Sequence, residues 1–348
     1  MLLLASHQLQ VNNQHDNYKD SSLQSVPFYM ACFLLFVFSS FRKDVGADFD
    51  NYYNIFIDFR MGLAPFDFEP LNMLIINVVN YLGLDVYLIF PIYAAITLFS
   101  VYYFLCKLSK SKELSLAIFF LTGIFYLSTL NGIRQWAAVA LVLVAIVKMI
   151  ERKTAATLVC VLLAALFHKS AIIMAIIPFL SVRLRPSSMI VITILSFVFV
   201  KLVLYIISIS GYNRYLIDGL YTQTVSPLLL ILYSSFLLIA PVFLGYFSKN
   251  VQLSRRLIIL INLNFISILI LFFGFMSGMS AVSIMRMNMY FQMQVVILLP
   301  ELFLRVKPIS ARMLSGFLFL ILLTFYFFNT LFSNGYLYKL TPYSTFLG

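Results

Sequence analysis

Residues 134–150 read RQWAAVALVLVAIVKMI, a run in which apolar residues follow one another with almost no polar interruption. Such a run predicts a helix that crosses a lipid bilayer, because a helix satisfies its own backbone hydrogen bonds in hydrocarbon. A strand of a membrane β-barrel would instead alternate polar and apolar residues over about ten positions. The stretch therefore predicts an all-α membrane protein.

The same kind of run recurs along the whole chain. Of the 348 residues, 62% are hydrophobic and 11% are charged, and the mean hydropathy is +0.97. Soluble domains contain roughly 45–50% apolar and about 25% charged residues, so this composition indicates a polytopic transmembrane helical protein. The predicted spans are residues 26–41, 86–106, 114–130, 134–150, 187–209, 226–247, 257–276, 287–304 and 313–332.

Two further stretches are apolar but do not fit a complete crossing. Residues 70–82 are short and rich in asparagine, which predicts a re-entrant or interfacial helix. Residues 154–180 are interrupted by His168 and Lys169, which predicts two half-length helices that turn at the membrane face. Together with the spans above, these stretches give about ten membrane crossings.

The distribution of positive charge predicts which loops face the cytoplasm, where Lys and Arg concentrate. One alternating assignment places 15 of the 24 Lys and Arg residues on the cytoplasmic side. It places eight of the 13 Asp and Glu residues on the other side, most of them in an extracytoplasmic loop at about 42–85. Residues 1–25 are then a polar cytoplasmic tail, residues 26–348 form a single transmembrane domain, and the C-terminus is extracytoplasmic.

Several classes of function find no support. The net charge of +11 comes from basic residues scattered in loops between spans, whereas a nucleic-acid-binding protein gathers them on one face. The sequence contains no phosphate-binding glycine loop, no dinucleotide fingerprint and no hydrolase nucleophile elbow. The three cysteines lie in apolar segments without metal-ligand spacing, and Asp48-Phe49-Asp50 is weak evidence for Mg²⁺. We expect no metal and no cofactor.

The extracytoplasmic loop begins with RKDVGADFDNYYNIF at residues 42–56, where carboxylates stand beside aromatic rings. Aromatic faces pack on the C–H surfaces of sugars, and carboxylates accept hydrogen bonds from hydroxyl groups or remove their protons. Asp48, Asp50 and Tyr52 are therefore candidates for a sugar site, unless the loop is solvated and its rings form an interfacial belt. Glu69 precedes Pro70 and is either a further acid–base candidate or a helix cap.

Two arginines open predicted spans from the extracytoplasmic side. Arg134 stands beside Gln135, and Arg286 begins the stretch RMNMYF, which contains Tyr290. A guanidinium at such a position suits an anionic partner such as a diphosphate, although each arginine could instead reach toward lipid headgroups. Arg42 and Arg214 are reserve candidates for the same role.

His168 lies at the predicted break between two half-length helices, in the stretch FHKSA. A histidine in this position can act as a base, a proton relay or a hydrogen-bond donor to a phosphate or sugar, or it can be structural. No second histidine or cysteine stands nearby in the sequence, which argues against a metal-ligand set.

The order of these fragments resembles the EpsG branch of the Wzy-type polysaccharide polymerases from about residue 42 to the end of the chain. The fragments that carry the resemblance are GADFDNY (46–52), EPL (69–71), IRQWA (133–137), FHKSA (167–171), RMNMYF (286–291) and PY (342–343).

The resemblance implies a membrane glycosyltransferase of GT-C-like architecture in the bacterial inner membrane. It would polymerise undecaprenyl-diphosphate-linked repeat units of an O-antigen (lipopolysaccharide), capsule or exopolysaccharide at the periplasmic face. The resemblance also makes a chain-length regulator protein a plausible partner. Two other classes stay open: a ligase that moves finished glycan to another lipid, and a flippase or transporter of lipid-linked sugars. A transporter would line a path through the bilayer with charges, yet only Lys201 lies deep in a predicted span.

Overall fold

The computed structural model describes residues 26–63, 68–196, 238–248, 250–277, 281–334 and 339–346. Within these ranges the secondary structure is almost entirely helical, and the strands β1 (Arg42–Lys43) and β2 (Ser344–Thr345) pair antiparallel. The predicted tail at residues 1–25 and the candidate Arg214 lie outside the described residues.

The helices fall into two groups along the chain, before and after the described range that ends at residue 196. The first group is α1 (Val26–Ser40), α2 (Phe49–Arg60), α3 (Pro70–Tyr81), a 3₁₀ turn (Val86–Leu88) leading into α4 (Ile89–Leu108), α5 (Lys112–Leu121), α6 (Tyr126–Thr129), α7 (Ile133–Ile150), α8 (Thr154–Phe167), a 3₁₀ helix (Lys169–Ser181) and α9 (Pro186–Ser196). The second group is a short helical stretch at residues 238–243, α10 (Arg255–Ser277), α11 (Ala281–Gln292), α12 (Val295–Phe303) and α13 (Ile309–Asn334).

The chain divides into two compact units. The first unit runs to Ile173 and resumes at Leu299, and the second unit is Met174–Leu298. The prediction of a single transmembrane domain stays a prediction. Each unit is described by itself below.

Among the described residues, four helices are long and apolar enough to cross a membrane: Val86–Leu108, Ile133–Ile150, Arg255–Gly274 and Ile309–Phe332. Shorter apolar helices, such as the 15-residue α1, accompany them. The chain is therefore a helical membrane protein, and the described part supports four complete spans where the sequence predicts about ten crossings.

Helix α7 forms the core of the first unit. In its apolar stretch, Ile133–Ile150, 72% of the residues are buried. In the apolar stretch of α13, Ile309–Phe332, only 17% are buried. The alanines Ala137, Ala138 and Ala140 are completely buried, and such small side chains let neighbouring helices approach closely. Helices α4 and α8 pack on α7, whereas α13 presents most of its surface outward.

Two predicted spans are broken. Residues 114–130 are divided between α5 and α6, and Gly123 stands in the break with φ +67°, a left-handed conformation that glycine adopts without strain. Residues 287–304 are divided between α11 and α12 at 293–294. The sequence prediction contained neither break, because the residues that interrupt the two apolar runs are uncharged: Thr122 and Gly123 in the first, and Gln292 and Gln294 in the second.

The two unusual stretches fold as helices of the expected lengths. Pro70 starts α3 and Glu69 before it is extended, since a residue that precedes proline avoids the helical region. At the second stretch α8 ends at Phe167, and His168 is extended with φ −155° and ψ 114° before the 3₁₀ helix begins.

Three polar contacts join segments of the first unit that are far apart in the sequence. Loop residue Ala47 donates from its amide to Asn131 Oδ1 over 2.6 Å, which joins two segments assigned to the extracytoplasmic side. Lys110 pairs with Glu301 at 3.2 Å, and Lys148 donates to the Tyr103 hydroxyl over 2.9 Å.

Candidate active site

Glu69 and Arg134 form an ion pair in the first unit. Glu69 immediately precedes α3, and Arg134 lies in the first turn of α7. Arg134 Nη1 donates to Glu69 Oε2 over 2.7 Å, with 9% of the glutamate and 24% of the arginine side chain exposed. The carboxylate also stands at the N-terminal, positive end of the α3 dipole. A largely desolvated pair with a partly exposed cation can receive an anionic ligand.

Asn72 fixes the position of this carboxylate. Its Nδ2 donates to Glu69 Oε2 over 3.0 Å and to the Phe167 carbonyl over 2.9 Å. Its Oδ1 accepts from the Tyr93 hydroxyl over 2.6 Å, and Asn72 itself is fully buried. A fully bonded amide holds one orientation, so Asn72 connects the start of α3 to the end of α8 and to the wall of α4.

The guanidinium of Arg134 lies between aromatic rings. Its central carbon is 4.4 Å from the centroid of Phe68 and 5.8 Å from that of Tyr52. Rings at these distances attract a cation and hold the planar group in place. Arg134 Nε is buried without a hydrogen-bond partner among the described residues, so the ion pair with Glu69 does not use all the donors of this side chain.

His168 lies at the same end of the first unit, because the preceding residue Phe167 accepts the hydrogen bond from Asn72. Its Nδ1 is 2.7 Å from Ser170 Oγ, and the side chain is half-buried. His168 is thus linked to the Glu69–Arg134 pair through the Phe167 carbonyl and Asn72. A hydroxyl at one ring nitrogen orients the imidazole, and it donates to or accepts from that nitrogen according to the tautomer.

Arg42 is buried, with 2% of its surface exposed. It donates from Nη1 to the carbonyls of Leu130 and Val45, the latter over 3.1 Å, and its guanidinium lies 5.2 Å from the Phe90 ring. Burial lowers the pKa of Arg42 to about 10, so the side chain is still charged at neutral pH. These contacts join the loop that begins at Arg42 to the turn that precedes α7.

The two loop aspartates differ in their surroundings. Asp48 is half-buried at the N-terminal boundary of α2, whereas Asp50 is exposed and pairs with Lys339. The hydrogen bond from Lys339 to this carboxylate raises the pKa of Lys339. Asp48 has no ion pair among the described residues and is the less constrained carboxylate of the loop.

The other predicted site residues lie in two places. Gln135 is buried in the first turn of α7, next to Arg134. In the second unit Arg286 and the buried Tyr290 are one helical turn apart on α11. The same helix carries the buried amides Asn288 and Gln292, whose Nδ2 and Oε1 are 3.2 Å apart. Polar groups buried in a membrane helix are commonly functional.

Sequence reasoning missed Asn72, Tyr93 and Phe68. A signal for Asn72 was present, because the spacing of Glu69 and Asn72 across a proline-started helix puts both side chains on one face. Tyr93 and Phe68 carry no such signal, since single aromatic residues in or beside apolar segments are common. Within the described ranges, no group of three or more His, Cys, Asp or Glu side chains is placed to hold a metal ion.

Comparison with protein families places the chain in a family. The model described as the EpsG family matches residues 25–345, which is nearly the whole chain and includes every candidate residue above. No curated protein and no solved structure matches the chain.

Proposed function

Because the chain belongs to the EpsG family of Wzy-like polysaccharide polymerases, we propose that it polymerises glycan repeat units carried on undecaprenyl diphosphate. The units would belong to an O-antigen, a capsule or an exopolysaccharide. The proposal includes transfer at the periplasmic face of the inner membrane, a cytoplasmic N-terminus, about ten spans in a GT-C-like arrangement and docking of a chain-length regulator.

The observation that carries the proposal is the Glu69–Arg134 pair with its partners. In the transfer, the anomeric carbon of the growing glycan leaves its diphosphate oxygen and bonds to a hydroxyl of the incoming repeat unit. Negative charge develops on the departing lipid diphosphate, and the hydroxyl proton goes to a base. Arg134 supplies fixed positive charge for the diphosphate, with its plane held by Phe68 and Tyr52 and its position held by Glu69.

The base is drawn from Glu69, His168 and Asp48. Among the described residues, Arg134 and Asn72 both donate to Oε2 of Glu69, so we assign Oε1 to the hydroxyl proton. His168 stands at the same end of the unit with its Nδ1 engaged by Ser170. Asp50 is the weaker candidate in this proposal because its carboxylate already neutralises Lys339.

Arg286, Tyr290 and Gln135 stay in the proposal as substrate-binding residues. Arg286 would bind an anionic group, and the hydroxyl of Tyr290 and the amide of Gln135 would bind sugar hydroxyls. Arg214 remains a reserve for the diphosphate. The buried contacts of Arg42 favour a role in holding the loop rather than in binding substrate.

The experiment that tests the proposal compares surface polysaccharide from cells that carry Arg134→Ala, Arg286→Ala or His168→Ala at normal membrane abundance. The proposal expects short chains on a gel for each variant. Wild-type chain lengths in all three would overturn the site assignment. Purified protein incubated with lipid-linked repeat units then separates the classes. A polymerase lengthens chains with no second acceptor lipid, a ligase requires that lipid, and a transporter lengthens nothing.

A further inference from the structure

The segment at residues 339–346 contains the PY fragment to which the proposed function gives no role. It lies against the extracytoplasmic loop, from which it is separated by almost the whole chain. Arg42 pairs with Thr345 and Lys43 with Ser344 in the two-stranded sheet, and the Ser344 hydroxyl donates to the Lys43 carbonyl. The segment therefore supplies the second strand of the sheet whose first strand lies in the loop.

Side chains extend this contact at both ends of the segment. At one end Lys339 pairs with Asp50, and the Lys339 carbonyl accepts from the Gly46 amide over 2.8 Å. At the other end the ring of Phe346 stacks on Tyr87 with centroids 5.1 Å apart. In between, the Tyr343 hydroxyl donates to the Phe38 carbonyl.

The loop in turn contacts the elements that carry the candidate site. Arg42 donates to the Leu130 carbonyl, and the Ala47 amide donates to Asn131 Oδ1 over 2.6 Å. Leu130 and Asn131 lie in the turn before α7, separated from it only by the N-cap Gly132, and the first turn of α7 holds Arg134. Helix α2, which follows the loop, places the Tyr52 ring 5.8 Å from the Arg134 guanidinium.

We propose that the 339–346 segment positions the Arg134 site, by holding the loop at 42–50 against the turn before α7. The segment is a positioning element and does not touch the substrate. The expected change in chain-extension rate rests on the proposed function. The expected change in the structure of the loop rests only on the contacts described above.

The test exchanges the charges of one ion pair. Lys339→Asp and Asp50→Lys each place like charges together, and each should slow chain extension by on the order of tenfold, since small displacements of positioned groups are costly. The double variant restores opposite charges and should recover the rate to within about twofold of the wild type. Lys153→Glu, which disrupts the exposed pair with Glu151 in a loop assigned to the other side, is the matched control and should leave the rate unchanged.

A second measurement does not depend on activity. Hydrogen exchange of the Gly46 and Ala47 amides should accelerate in Lys339→Asp and return toward wild-type rates in the double variant. If the wild type extends chains while Lys339→Asp matches it in both rate and exchange, the positioning role is wrong and the polymerase proposal stands. If the wild type extends no chains, the polymerase proposal fails, and the exchange rates alone decide whether the segment holds the loop. Failure of the double variant to recover also overturns the inference, because Asp50 would then act by itself.

Discussion

Arg134 and Glu69 are 65 positions apart in the chain and 2.7 Å apart in space. Glu69 precedes α3 and Arg134 lies in the first turn of α7, so the ion pair requires the N-termini of these two helices to lie side by side. Breaking a buried pair by removing one partner leaves the other charge uncompensated, which is more damaging than the loss of an exposed pair. The pair therefore constrains both the fold at this end of the first unit and its chemistry.

Arg134→Ala should lower the rate of chain extension by on the order of 10²–10³-fold, because it removes the charge that offsets the departing diphosphate. Arg134→Lys should recover only part of the rate, since an ammonium keeps the charge but lacks the planar fork that stacks on Phe68. The measurement is extension of lipid-linked repeat units by purified protein. Arg305→Ala, at an exposed position, is the control. Equal rates for the lysine variant and the wild type would show that only charge matters.

Asn72→Leu should destabilise the first unit by about 2–4 kcal/mol, because three hydrogen bonds disappear from a fully buried position. Thermal unfolding in detergent checks the prediction. Asn77→Leu, on the exposed side of the same helix, should change stability by less than about 0.5 kcal/mol. Matching losses in the two variants would contradict the role given to Asn72.

Gly46→Ala should lower stability by about 3 kcal/mol or more, because a Cβ here would lie 2.5 Å from the Leu130 carbonyl oxygen and the backbone has φ +103°. Gly83→Ala is the control for backbone strain alone, since φ is +62° there and nothing lies within 4 Å of the added carbon. Its expected cost is about 1 kcal/mol. The thermal midpoints of the two variants should differ clearly, and equal midpoints would exclude the close approach at Gly46.

The Lys339–Asp50 pair predicts a pH dependence at the alkaline end. The bond to Asp50 raises the pKa of Lys339 above its ordinary value of 10.5. A raised pKa in the folded state means that the pair stabilises the fold below the ordinary value, and that this contribution disappears as pH rises through the folded-state value. The thermal midpoint of the wild type minus that of Lys339→Met should be positive at pH 8 and shrink at more alkaline pH. A difference that grows with pH would reverse the assigned sign.

The sequence predicted the elements whose signal is local. The continuous apolar run at 134–150 corresponds to α7, and the asparagine-rich stretch at 70–82 corresponds to α3. The break at His168 was visible as two polar residues inside an apolar stretch. The break at 293–294 was not predicted although Gln292 and Gln294 also interrupt an apolar stretch, because uncharged amides can lie inside a buried helix when the fold supplies their partners.

The candidate site was predicted as separate residues and not as an arrangement. Glu69 and Arg134 were both chosen from the sequence, but nothing in either motif indicates that the two side chains pair. Tyr52 was assigned to a sugar site, and the structure places its ring beside the Arg134 guanidinium. Such pairings depend on which helices pack together, and hydrophobic patterns do not specify that.

The pairing of Arg42 with Thr345 also affects how the protein is made. Ribosomes add roughly 5–20 residues per second, so the second strand is synthesised some 15–60 s after the first. Throughout that interval the loop lacks the partner strand, and Gly46 lacks the acceptor for its amide. During synthesis the loop can therefore make its contacts with Leu130 and Asn131 long before its partner strand exists, and the sheet closes only after the last helix has been made.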